Sequence, residues 1–131
     1  MFLSATKSTP VVDFAPDNLP VLRMAGPCFP MPAPAFFDRV IEGDAANRDK
    51  VPGLRAILQG YSGNGRLRFV FDLRLINSRS VKEPDKPLLF LLDLLGTYDV
   101  EIVWIRHPDD ESNIQAGGLL KERYPGIFTI V

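Results

Sequence analysis

The segment from residue 66 to residue 75, "RLRFVFDLRL", constrains the fold more than any other part of the chain. Its odd-numbered positions are all apolar, whereas charged side chains occupy most of the even-numbered positions. This period of two predicts a β-strand with one buried face and one face that is at least partly wet. A sheet covered by helices on both faces would favour near-continuous apolar strands. We therefore predict a two-layer α/β fold, with helices packed mainly on one face of a mixed sheet.

Hydrophobic periodicity predicts further strands and helices on both sides of this strand. Two short strands near the start are separated by turn residues, which predicts a hairpin. The second half alternates strand, helix, strand, helix, strand with short connections, which favours parallel pairing. We expect a single domain, residues 1–131, with a sheet of about five strands. The predicted strands are 11–14, 19–25, 67–76, 100–105 and 127–131, and the predicted helices are 34–41, 51–61, 88–95 and 110–123.

The composition argues against several classes of protein. Lys plus Arg is 15 and Asp plus Glu is 16, so the chain has no electrostatic footprint for nucleic acid or for an anionic membrane. The longest strongly apolar run, 88–95, is too short to cross a bilayer, and we expect no signal peptide. Cys28 is the only cysteine, so no internal disulfide can form. We expect a cytoplasmic protein.

Two residue groups offer possible chemistry. His107 is followed by Asp109, Asp110 and Glu111, which could ligate a metal, but acids at the start of a helix are favoured without one. Cys28 could act as a nucleophile only with His107 as a distant base, and no local motif supports that pairing. We therefore expect no catalytic residue, no metal and no cofactor. A small enzyme that uses Cys28 or His107 is the least favoured alternative.

The segment 88–95 is apolar around most of a helix, and Gly96 is expected to cap its C-terminus. A helix on a protein surface needs only an apolar stripe, so the excess is either buried or shared with a partner. One side of this helix should approach solvent in a two-layer fold. Leu88 and Leu91 are the residues that we expect at a partner surface.

Two hydroxyls and two cations lie between the alternating strand and this helix, without a turn glycine. Functional sites in α/β folds commonly lie where the carboxyl end of a strand leads into a helix. A phosphoryl group on Ser78 or Ser80 would add about −1.5 to −2 charges, with Arg79 and Lys82 as neighbouring cations. The alternative is that Ser80 only forms a capping box with Glu83.

Four segments occur in an order that resembles one protein family. They are "TKSTPVVDF", "AGPCFPMPAPAFFDRVI", "LRFVFDLRLINSRSVK" and "VEIVWI". They resemble, respectively, a T-x-x-T-P-x-V/I-x-F start, a G-x-S-Y-P-E-N segment before an aromatic-rich helix, a strand that ends in N-T-S-S-x-K, and a V-x-V-x-W-Y-x-D-x-D stretch. The family with this pattern is the SiaC family of bacterial regulatory phosphoproteins, and the resemblance extends over almost the whole chain.

The resemblance implies a fold similar to STAS-domain anti-sigma-factor antagonists and a partner-switching role without enzymatic activity. In this family the Thr of N-T-S-S is phosphorylated by a histidine-kinase-like Ser/Thr kinase and dephosphorylated by a PP2C-type phosphatase. The unphosphorylated form binds and activates a GGDEF diguanylate cyclase. Position by position, Asn77 corresponds to the Asn, Ser78 to the phosphorylated Thr, Ser80 to the second Ser and Lys82 to the Lys.

The chain departs from the family pattern at Arg79, where the family has Ser, and at 83–87, where the family has the first turn of a helix. The resemblance nevertheless implies that Ser78 accepts phosphate, with Ser80 as the alternative. The residues expected to contact a partner are Asn77, Arg79, Ser80, Lys82, Leu88 and Leu91. The rival hypothesis is a constitutive interaction scaffold, or a module of the anti-sigma-factor-antagonist type, that is never phosphorylated.

Overall fold

The computed structural model describes residues 2–14, 21–29, 33–61, 66–76 and 87–131, which form six strands and four helices. The strands are β1 (Phe2–Leu3), β2 (Val11–Asp13), β3 (Val21–Pro27), β4 (Arg68–Arg74), β5 (Glu101–Trp104) and β6 (Phe128–Ile130). The helices are α1 (Ala33–Glu42), α2 (Leu54–Gly60), α3 (Pro87–Thr97) and α4 (Glu111–Arg123).

The strands form one mixed sheet in the order β1-β2-β3-β4-β5-β6. Strands β1, β2 and β3 pair antiparallel, whereas β3, β4, β5 and β6 pair parallel. The predicted hairpin and the predicted parallel second half are both confirmed. Because parallel strands run in the same direction, the carboxyl ends of β3 to β6 lie along one edge of the sheet.

A row of aromatic rings forms the centre of the core on one face of the sheet. Successive ring centroids are separated by 5.3, 4.4, 6.0 and 5.8 Å. Helix α4 packs directly on this row, since a Cβ built on Gly117 would lie only 2.7 Å from Trp104 Nε1. The five rings, all buried, belong to Phe14, Phe69, Phe71, Trp104 and Phe128.

The opposite face of the sheet carries charged side chains. Arg23 Nη2 lies 3.4 Å from Asp72 Oδ2, and Arg68 Nε lies 3.4 Å from Glu101 Oε2. Both arginines are exposed, so each pair contributes less than about 1 kcal/mol to stability. The alternation in β4 thus separates a buried aromatic face from a wet, charged face. The predicted two-layer α/β fold is confirmed.

Three details differ from the sequence-based prediction. The sheet has six strands instead of about five, because the two residues of β1 are too few to show a period. Helix α3 begins at Pro87, a favoured residue for the first helical position, and runs to Thr97. Gly96 therefore lies inside the helix, and Asp99, with a φ of 56°, reverses the chain after it. None of the helices among the described residues is long and apolar enough to cross a membrane.

Candidate functional site

The carboxyl end of β4 is held against the start of α4 by two backbone hydrogen bonds. Leu75 N–H donates to Asp110 Oδ2 at 2.9 Å, and Ile76 N–H donates to Ser112 Oγ at 3.1 Å. Leu75 has a φ of 50° and is 61% exposed, although the alternation of the strand predicts that it points into the core. The chain direction at this point is therefore set by the acceptors on α4 and not by the apolar side chain.

Asp110 is the N-cap residue of α4. Its Oδ1 accepts hydrogen bonds from Ser112 Oγ at 2.6 Å and from Asn113 N–H at 3.3 Å. Partial burial acts to raise the pKa of Asp110, but the hydrogen bonds from Ser112, Leu75 and Asn113 outweigh it and lower the pKa from its ordinary value of 3.8. The carboxylate is therefore ionised at neutral pH, which favours both the cap and the bond to the end of β4.

Asn113, in the first turn of α4, is completely buried. Its Nδ2 donates to Leu73 O at 2.7 Å and to Ile105 O at 3.1 Å, and its Oδ1 accepts from His107 N–H at 2.9 Å. One amide thus joins the end of β4, the end of β5 and the first turn of α4. We call Asp110, Ser112 and Asn113 together the α4 anchor.

We predict that the stabilisation supplied by Asp110 depends on pH. Because its folded-state pKa is lowered, this contribution is complete above the unfolded-state pKa and is lost as the pH falls through the folded-state value. Asp110→Asn removes the charge and one of the two unprotonated acceptor oxygens, as protonation of the carboxylate also does. The wild-type free energy of unfolding should therefore exceed that of Asp110→Asn at pH 7, by about 1 kcal/mol, and the two should converge in acid.

Denaturant unfolding from pH 7 to pH 2 measures this difference. A gap between the two proteins that stays constant over that range would contradict the prediction. Glu111→Gln is the matched control, since Glu111 is exposed and its side chain bonds, among the described residues, to Gln115 of its own helix at 3.3 Å.

The acid that His107 contacts lies on β4 and is not one of the acids that follow it at 109–111. His107 Nε2 lies 2.5 Å from Asp72 Oδ1 on β4. Asp110 caps α4, so the interpretation of the following acids as the start of a helix is confirmed. No group of three or more potential metal ligands occurs among the residues that the structure describes.

Cys28 lies in the core. Burial raises the pKa of its thiol to about 12, so at neutral pH almost no thiolate is present to act as a nucleophile. Its N–H donates to Arg74 O at 2.8 Å, which extends the pairing of β3 with β4 by one residue.

Comparison with known proteins assigns the chain to a family. The family model for SiaC family regulatory phosphoproteins matches residues 3–131. The chain belongs to this family. No curated protein sequence matches it. The SiaC-family fold is also found in a chain of the crystal structure of the diguanylate cyclase SiaD in complex with its activator SiaC from Pseudomonas aeruginosa. That match has a TM-score of 0.72 and 21% sequence identity, and covers 99% of this chain and 97% of that chain.

The polar residues expected to form the switch in this SiaC-family chain lie outside the described residues. They are Asn77, Ser78, Arg79, Ser80 and Lys82, and Glu83 of the possible capping box lies there too. The structure does describe Leu75 and Ile76 immediately before this segment and α3 after it. The candidate site is therefore defined by its two boundaries, the α4 anchor and α3.

Leu88 and Leu91 were expected at a partner surface, and the structure corrects this. Both side chains are completely inaccessible to solvent, so they belong to the core and cannot contact a partner. Phe90, between them, is 60% exposed. The apolar residues of α3 are therefore almost all buried, and Phe90 is the apolar residue of this helix that remains exposed.

The α4 anchor was not identified from the sequence. The acids at 109–111 predict the helix start, but they do not indicate that Asp110 also binds the end of β4. Asn113 gives a weak signal, because it shares the buried face of α4 with Ala116, Gly117 and Leu120. A polar residue on an otherwise buried helical face indicates a hydrogen-bonded role in the interior.

Proposed function

We propose that this chain is a single-domain, non-enzymatic partner-switching regulator in which reversible phosphorylation of Ser78 decides whether an output protein binds. A histidine-kinase-like Ser/Thr kinase would add the phosphate and a PP2C-type phosphatase would remove it. The unphosphorylated form would bind a GGDEF diguanylate cyclase. The observation that carries the proposal is the match of nearly the whole chain to a family of regulatory phosphoproteins.

The identity of the output protein is supported by the structural relative. In that crystal structure a protein named SiaC is the activator of the diguanylate cyclase SiaD. A chain of the same family and the same fold is therefore proposed to act on an output protein of the same class.

The geometry of the α4 anchor supports the position of the switch. Ser78 follows Ile76 by two residues, and the backbone of Ile76 is fixed by Ser112 on α4. A phosphorylated Ser78 would carry about −1.5 to −2 charges, added to a segment that leaves the sheet beside the ionised Asp110. Moving a doubly charged group into an interface without matched donors is costly. Phosphorylation should therefore weaken docking of a partner whose surface beside Ser78 offers no matched donors to the phosphate.

The environments of Cys28 and His107 support a non-enzymatic role. Cys28 is buried with a raised pKa, and His107 Nε2 is engaged with Asp72. The buried thiol is not prepared to act as a nucleophile, and Nε2 of His107 is occupied by Asp72 and is not available as a base.

We predict that phosphorylation of Ser78 lowers the affinity for the output protein by a factor of tens, which corresponds to about 2 kcal/mol. The protein should be purified from its host under varied growth conditions, and its intact mass should reveal a phosphate-sized increment. Fragment mass spectrometry should place that increment on Ser78. Binding of the separated phosphorylated and unphosphorylated forms to the host's GGDEF cyclase then measures the effect.

Two alanine variants distinguish the two serines. Ser78→Ala should abolish the increment, and Ser80→Ala should retain it. The reverse result would identify Ser80 as the phosphoacceptor and refute the assignment to Ser78. If neither serine is modified under any condition while the cyclase still binds, the constitutive scaffold is the correct function.

A further inference from the structure

A groove with a volume of about 810 Å³ lies between α1 and α3. Its floor is formed by apolar side chains of both helices, including the buried Phe37 and Ile41 of α1 and Leu94 of α3. Phe90 and Leu94, separated by four residues, lie on the same side of α3. The exposed ring of Phe90 forms part of one wall.

The rim of the groove is acidic. Three carboxylates line it, from Asp38, Glu42 and Asp93, against one cation among the described lining residues, Arg55. Arg55 Nε is bound to Glu42 Oε1 at 2.9 Å, which leaves Asp38 and Asp93 without a basic neighbour among the lining residues. The Tyr124 hydroxyl donates a hydrogen bond to Asp93, which holds that carboxylate in place. The same hydroxyl accepts a hydrogen bond from Arg123 Nε at 3.1 Å, so Arg123 is the nearby cation for Asp93, whereas Asp38 has none among the lining residues.

We propose that this groove binds an amphipathic α-helix of the output protein, with apolar residues that enter the groove and Lys or Arg residues beside them that face the acidic rim. Helices of this type dock in apolar grooves through residues spaced three and four apart, and opposite charge on the rims fixes the orientation and accelerates encounter. This inference rests on the proposal above that the chain docks an output protein, but it does not depend on phosphorylation of Ser78.

The position of the groove on α3 connects it to the proposed switch. Helix α3 begins at Pro87, directly after the segment that carries Ser78. A partner helix in the groove would therefore lie against the element that follows the switch segment in the chain. The buried side chains of Leu88 and Leu91 hold α3 on the sheet, which fixes the position of the exposed Phe90 relative to the sheet.

Two synthetic peptides test the groove directly. Each has about 15 residues, or four helical turns, with leucines spaced three and four apart. One carries lysine at most other positions and the other carries glutamate. Fluorescence anisotropy with the full unphosphorylated chain should show that the lysine peptide binds at least ~10-fold more tightly than the glutamate peptide. Added salt should reduce this preference.

Variants locate the binding site. Phe90→Ala should weaken binding of the lysine peptide by about tenfold, whereas Leu119→Ala should leave it unchanged. Leu119 is a matched control because it is also exposed, at 47%, but lies on α4 and does not line the groove. Asp38→Lys should weaken the lysine peptide and strengthen the glutamate peptide. Thermal unfolding of each variant confirms that the chain remains folded.

Several results would overturn the proposal. These are equal affinity for both peptides, unchanged affinity in Phe90→Ala, or no binding to the wild-type chain. Light scattering over a range of concentrations provides a further test, since a dimer that Phe90→Ala disrupts would make a second copy of the chain the occupant. Because the peptides require neither kinase nor cyclase, their failure would leave the Ser78 proposal intact, and failure at Ser78 would leave the peptide result intact.

Discussion

Replacing Asn113 with leucine is expected to lower the free energy of unfolding by about 3 kcal/mol. Leucine has the same branching and the same number of side-chain heavy atoms as asparagine and a better helix propensity, so helix formation does not account for the loss. The cost arises because Leu73 O, Ile105 O and His107 N–H lose the partners that Asn113 provides. Buried backbone groups without a partner each cost about 1 kcal/mol or more.

The measurement is the midpoint of thermal unfolding, which should fall by roughly 10 °C for a chain of this size. Gln115→Leu is the matched control on the same helix, because the Gln115 amide is exposed and, within the part of the chain that the structure describes, bonds to the neighbouring Glu111 and not to a strand end. That variant should remain within about 0.5 kcal/mol of the wild type. Equal stability of the two leucine variants would show that the Asn113 amide does not hold the strand ends to α4.

The core-facing pattern of β4 could be predicted from the sequence because it depends on side-chain period alone. The exception is Leu75, which continues the alternation but lies at the surface with a φ of 50°. A positive φ is normally supplied by glycine or asparagine, so a leucine gives no signal for it. The cause is the acceptor on Asp110, which is 35 residues away in the chain.

For helix α3 too, the sequence predicts the property that depends on local composition but not the property that depends on packing against another helix. Its apolar composition predicts burial, and its six leucines are indeed buried. The composition does not identify which apolar residue remains at the surface, because that depends on how α1 lies beside α3. The groove that exposes Phe90 exists only once the two helices are packed.

The switch residues were the most specific feature of the sequence, and their assignment depends on the family pattern. Neither the spacing of Ser78 and Ser80 nor their neighbours distinguishes a phosphoacceptor from a capping residue. The structure contributes the boundary of the segment, through the bonds to Leu75 and Ile76. Those contacts join elements that are distant in the sequence, so periodicity could not predict them.

The connection from α1 to α2 depends on two glycines whose backbones are in contact, and Gly53→Ala is expected to prevent stable folding. A Cβ at Gly53 would lie 2.4 Å from Gly43 N, 2.5 Å from Glu42 C and 2.7 Å from Ile41 O. These are backbone atoms at the end of α1 and cannot move aside cheaply. Gly53 also has a φ of 89°, which alanine adopts only with strain. The combined loss should exceed about 4 kcal/mol.

Gly60→Ala is the matched control, since a Cβ at Gly60, at the end of the same helix, would meet nothing within 4 Å. It should keep or slightly increase stability, by up to ~1 kcal/mol. Circular dichroism and urea unfolding of the two alanine variants measure the difference, and similar stability would show that the two backbones are not in contact. The contact also bears on docking, because it holds the end of α1 against the start of α2, where Glu42 pairs with Arg55 at the rim of the groove. A Gly53 variant that still folds should therefore bind the lysine peptide less well than Gly60→Ala does.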